Sequence, residues 1–90
     1  MPELRLTRRA ANDLRELPRT VQEAVLETLD KIAVDPETVG KELVGKLRGL
    51  WSARVGNYRV LYTVERTGVI VRAIRHRAVA YRGKRPAVSG

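Results

Sequence analysis

The apolar positions along the chain change their period once, near residue 50. Before it they fall at helical spacing. Ala10, Leu14 and Leu17 form one stripe, and Val21, Val25, Leu29 and Ile32 form a second, widened by Leu26 and Ala33. Thr7 stands where a helix cap belongs, and Pro18 breaks the first helix. "TVQE" at 20–23 has the Thr-to-Glu spacing of a capping box for the second helix, and Asp35-Pro36 stops it. Ahead of both, "PELRL" reads as a short strand with Leu4 and Leu6 on one face. Two amphipathic helices joined by a short turn form a hairpin whose apolar side must be covered by a sheet.

From Leu50 onward the pattern is that of strands. "LWSARV", "YRVLYTV" and "VIVRAI" are rich in β-branched and aromatic residues and are separated by "GN" and "ERTG". Gly56-Asn57 suits a two-residue hairpin with glycine first, the type II′ arrangement, while "ERTG" reads as a looser four-residue connection. Residues 37–49, with three glycines, read as a loop. The expected order is β-α-α-β-β-β. That is an α+β fold, an antiparallel sheet with a two-helix hairpin packed on one face. It occupies one domain over residues 1–85, with a flexible tail at 86–90.

With Gly56-Asn57 as the turn, Val55 pairs with Tyr58, Arg54 with Arg59, Ala53 with Val60, Ser52 with Leu61 and Trp51 with Tyr62. Alternation then sorts Trp51, Ala53, Val55, Tyr58, Val60, Tyr62 and Val64 onto an apolar face that meets the helices. This reading makes Trp51, Tyr58 and Tyr62 core residues. Ser52, Arg54, Arg59 and Leu61 fall on the open face. Two arginines directly opposite each other repel, so the pair destabilises the sheet unless an anion is shared between them. The planar guanidinium fork matches phosphate oxygens and keeps its proton. The alternative is two arginines that merely solvate an exposed face. Arg72 and Arg75 follow on the third strand, and the "ERTG" connection decides which of them joins the open face, since a bulge there swaps the two. His76, Arg77, Tyr81 and Arg82 come next, at the end of a strand that runs back toward the Gly-Asn turn.

Charge sharpens this picture. The chain has 90 residues and a net charge of +8. Residues 1–42 carry nine acids and seven bases, a net of −2, whereas residues 43–90 carry eleven bases and one acid, Glu65, a net of +10. A basic half of this kind favours a polyanionic partner, nucleic acid before a membrane surface. Cysteine is absent and there is one histidine, so neither a disulfide framework nor a zinc site is expected. The N-terminus lacks the apolar core of a signal peptide and no apolar run is long enough to span a bilayer, which leads to the expectation of a cytoplasmic protein.

Two motifs carry a resemblance. The G-x-YR-x-x-Y core at Gly56, Tyr58, Arg59 and Tyr62, and the HR-x-x-x-Y close at His76, Arg77 and Tyr81, in this order on a chain of this length, resemble the RelE/ParE superfamily of toxins from type II toxin–antitoxin pairs. The resemblance covers nearly the whole chain and is closer to the RelE branch. It implies a metal-free endoribonuclease, with no cofactor, that cuts mRNA in the 30S A site of the ribosome. Arg59 would contact the scissile phosphate, Arg77 would stand near the leaving group, Tyr81 would orient or stack on a base and help activate the 2′-hydroxyl, and Arg54 would line the cleft.

Ribosome-dependent members have a lysine where this chain has Ser52, which leaves the proton acceptor open. Histidine is the residue type suited to proton transfer near neutral pH, making His76 the candidate, level with a reading as a hydrogen-bonded strand-end residue. Lys46 and Arg48 in the loop, with Ser52, Arg72 and Arg82, are candidate RNA contacts, level for Lys46 and Arg48 with a reading as a solvated loop. A cognate antitoxin is the implied protein partner, with DNA contacted only through it and no membrane involved. Two alternatives stand beside this: a ParE-like inhibitor that binds DNA gyrase without cutting RNA, and a nucleic-acid-binding module without catalysis.

Overall fold

A computed structural model describes residues 3–78. Strand β1 (Glu3–Leu6) leads into helix α1 (Arg8–Arg15). Thr7 caps α1 as expected, its hydroxyl accepting from the Ala10 amide at 3.1 Å. The same hydroxyl donates to the Arg72 carbonyl at 3.1 Å, so the cap also ties the helix to the sheet.

Helix α2 (Arg19–Val34) starts earlier than the capping box at Thr20 and Glu23 implies. Pro18 occupies the N-cap, no side chain caps the helix, and the Gln22 amide donates to the Pro18 carbonyl at 2.8 Å. The fixed φ of proline starts the helix and leaves Thr20 inside its first turn. Val25, Leu29 and Ile32 are buried, but Leu26 is 47% exposed and lies outside the core. One residue on from Val25 the helix has turned by about 100°, so the stripe is narrower than its apolar content suggests.

The sheet has five strands in the order β1-β5-β4-β3-β2, with β2 (Lys41–Glu42), β3 (Trp51–Val55), β4 (Tyr58–Glu65) and β5 (Gly68–His76). It is antiparallel except at β1, which runs parallel to β5 with Leu4 beside Val69 and Leu6 beside Val71. No tight turn joins those two strands, so hairpin geometry does not dictate their direction. The "ERTG" connection is tighter than expected. Glu65 and Gly68 pair, leaving Arg66-Thr67 as a two-residue turn. Gly68 is needed because any Cβ there would run into the backbone of Glu3 on β1.

The expected loop at 37–49 also contains structure. Proline in its first turn opens the short helix α3 (Pro36–Val39), β2 follows, and a single 3-10 turn covers Gly45–Leu47. The Gly49 amide closes this segment by donating to the Glu42 carboxylate at 2.9 Å. The core lies between the helices and one sheet face, with Val60, Tyr62, Val69 and Val71 meeting Ala10, Val25, Leu29 and Ile32. Among the described residues no helix is long and apolar enough to cross a membrane.

Candidate nucleic-acid interface

The β3–β4 hairpin has the register expected from its turn, from Val55 opposite Tyr58 to Trp51 opposite Tyr62. Gly56 has φ +60°, the left-handed value its turn position requires. Ala53, Val60 and Tyr62 are buried on the helix side, where the Trp51 and Tyr62 rings stack with centroids 6.3 Å apart. Trp51 and Tyr58 pack against the same core. The aromatic residues of this hairpin are therefore structural.

On the opposite face, Arg54 pairs with Arg59, and Arg59 pairs in turn with Arg75 on β5. Three arginines thus form one row across three strands. Arg54 is exposed, while Arg59 and Arg75 are half-buried. The Arg54 Nε donates to the Gly56 carbonyl at 3.4 Å, which draws its head toward the turn. Among the described residues, neither Arg54 nor Arg75 has a carboxylate partner. A row of fixed cations on a sheet face is a field suited to a phosphate backbone.

A bulge decides where Arg72 goes. Leu61 pairs with Ala73 but Tyr62 pairs with Val71, so Arg72 is the extra residue. Arg72 and Arg75 are three residues apart and would face opposite ways in a regular strand. The bulge puts both on the open face, and it sits within the strand rather than at "ERTG". Arg72 does not join the row, however. Its Nε donates to Thr63 Oγ1 at 3.2 Å and its head lies 3.8 Å from the Glu65 carboxylate. Beside the bulge, the Asp13 carboxylate on α1 accepts from the Ile74 amide at 2.9 Å, which pairs a β5 donor that β1 does not reach.

His76 falls on the other face from the row. It pairs with Tyr58, and the two rings meet edge-on at 5.1 Å and 82°. Its Nδ1 accepts from the Ala78 amide at 3.2 Å. Arg77 reaches the right end of the sheet, its amide donating to the Asn57 carbonyl at 2.7 Å. Lys46 and Arg48 are exposed in the segment before β3, beyond the Trp51 end of that strand and away from the Gly56-Asn57 turn. Tyr81 and Arg82 lie outside the described residues.

Lys41 is a residue that sequence reasoning missed. It pairs with Ser52 on the edge of the sheet, beside a cavity of about 360 Å³ whose lining includes Lys41, Leu43, Ser52, Arg54 and Arg59. A two-residue strand inside a glycine-rich segment has no periodicity to read, so no local signal could have placed it.

Known proteins resemble this chain in both sequence and fold. The family model of the ParE toxin of the type II toxin–antitoxin system parDE matches residues 4–81. Toxin RelG of Mycobacterium tuberculosis is 40% identical over 82 residues, covering 88% of this chain and 94% of RelG. The crystal structure of the toxin–antitoxin complex RelBE2 from the same organism is similar at a TM-score of 0.78 and 37% identity, covering 86% of this chain and all of the other. A chain of the archaeal RelE–RelB complex from Pyrococcus horikoshii is similar at a TM-score of 0.66 and 25% identity, covering 84% and 94% of the two chains. By both its sequence and its fold, this chain is a member of the RelE/ParE superfamily, a RelE-like toxin of a type II toxin–antitoxin system.

Proposed function

We propose that the protein is a RelE-like endoribonuclease that cleaves mRNA, on the ribosome and in the cytoplasm. The observation that carries this reading is the Arg54–Arg59–Arg75 row on the open face of the sheet. RNA brings its own nucleophile: the 2′-oxygen attacks the adjacent phosphorus, the bond to the 5′-oxygen breaks, and a cyclic phosphate remains. The protein's share is to hold the strand in line and to stabilise negative charge on the five-coordinate phosphorus. Arg59 binds the scissile phosphate from the centre of the row. Arg54 and Arg75 flank it, and Arg77 stands at the turn end for the leaving oxygen. Proton transfer falls to groups other than His76, whose ring packs on the far side of the sheet. Tyr81 is the member of the proposed set suited to it.

The partner that keeps such a toxin silent is an antitoxin with an acidic, partly helical segment, which covers the arginine row or lies against the helices. Charge complementarity with the basic face supports that reading.

Mapping of mRNA 5′ ends after tightly controlled expression tests the proposal, beside an Arg59→Ala/Arg77→Ala variant. Cuts on translated messages that vanish in the variant are expected. The ParE name of the matching family model favours one second reading, inhibition of DNA gyrase by binding. DNA damage without message cleavage would establish it instead.

A further inference from the structure

The arginine row continues into a pocket. At its β3 side the cavity of about 360 Å³ shares Arg54 and Arg59 with the row, and the α3–β2 corner supplies the other wall. That volume is at the small end for ligand sites, and the lining has the mixed character such sites share. Val39 and Leu43 are apolar, while Lys41 and Ser52 stand side by side as a cross-strand pair. The Ser52 Oγ is buried and has no hydrogen-bond partner among the described residues. A buried hydroxyl left unpaired is costly, and a turn of the Ser52 side chain toward the cavity would let a ligand atom bond it and remove that cost.

We propose that this cavity is a nucleobase subsite that prefers keto bases. The inference rests on the RNA reading above. A phosphate held between Arg54 and Arg59 leaves the adjoining nucleotide at the mouth of the cavity, because the same two side chains line both. A nucleobase has a flat face for Val39 and Leu43 and a polar edge for Lys41 and Ser52. The ammonium of Lys41 has three donors and no acceptor, so it sets the preference, while the Ser52 hydroxyl can donate to the same edge. That base edge carries the 6-position group of a purine or the 4-position group of a pyrimidine. There the Lys41 ammonium matches the carbonyl oxygen of guanine or uracil and repels the exocyclic amino group of adenine or cytosine.

Binding of two 2′-O-methyl RNA hexamers, alternating GU and alternating AC, tests the subsite, since the methyl group blocks cleavage. The wild-type protein is expected to bind the GU hexamer about tenfold more tightly. Lys41→Ala and Ser52→Ala should bring the ratio close to one. Lys41→Gln, which adds an acceptor at an exposed position, should narrow it. Arg59→Ala should weaken both hexamers alike. A wild-type ratio of one, an unchanged ratio in the Lys41 and Ser52 variants, or no binding of either hexamer overturns the subsite. Message mapping separates this inference from its parent. Keto preference without cleavage sinks the ribonuclease reading and leaves the subsite standing, while cleavage with a ratio insensitive to Lys41 and Ser52 does the reverse.

Discussion

Arg54 and Arg59 stand directly opposite each other across the β3–β4 hairpin, with Arg75 next in line. A like-charge pair in this position works against the sheet, by roughly 0.2–1 kcal/mol before salt screening. The arrangement makes sense if an anion occupies the row, and that has a measurable consequence.

Arg54→Thr is expected to raise the melting temperature of the free protein at low ionic strength, because it removes one of the facing charges and adds a good strand former. The gain should shrink as salt is added. Inorganic phosphate should stabilise the wild type more than the variant, by linkage to binding. Thermal melts across a salt and phosphate series measure both effects.

Tyr62 predicts a loss of stability at alkaline pH. Burial raises its pKa above the ordinary 10.0, opposed by a backbone hydrogen bond with Gly40. The unfolded chain therefore releases the phenol proton first as pH rises. The stability of the neutral, buried phenol is intact below about pH 10 and declines as pH climbs through the folded-state value. Tyr62→Phe should flatten this part of the pH profile. It should also cost about 1 kcal/mol at neutral pH, since the Tyr62 hydroxyl donates to the Pro36 carbonyl at 2.6 Å. Denaturant melts of both proteins from pH 7 to 11 test it.

Gly40→Ala should be strongly destabilising. A Cβ at this position would fall onto the Tyr62 hydroxyl and lie 2.9 Å from the Ser52 carbonyl. Relieving that overlap requires backbone movement, at a cost of about 1–3 kcal/mol. Equilibrium unfolding reads the loss, and the double variant Gly40→Ala/Tyr62→Phe should recover part of it.

Asp13→Ala should expose a weak point in β5. The Ile74 amide loses its acceptor, which costs roughly 1–3 kcal/mol for a polar group left unpaired. Hydrogen exchange at Ile74 should accelerate, while Asp13→Asn, which keeps a carbonyl acceptor, should protect it better.

The chemical alphabet and much of the local geometry were legible in the residues themselves. Gly56-Asn57 specifies a two-residue turn, and with period-2 alternation this is enough to set Arg54 against Arg59 and to send Trp51, Tyr58 and Tyr62 to the core. The start of helix α1 was equally readable from Thr7 and the Ala10–Leu14 stripe, which act over a few residues. The helix ends at Arg15, however, so Leu17 lies outside it and Pro18 caps α2 instead. Tertiary structure decided the rest. A bulge opposite Tyr62 carried Arg72 to the open face, and the parity of β5 turned His76 away from the row and onto Tyr58. The parallel pairing of β1 with β5 and the placing of Lys41 beside Ser52 join segments with no local signal linking them. The physical reason is range. Turn chemistry and side-chain alternation are set by neighbouring residues, whereas bulges, edge pairings and cavities are settled only when distant segments compete to satisfy their backbone groups against one another.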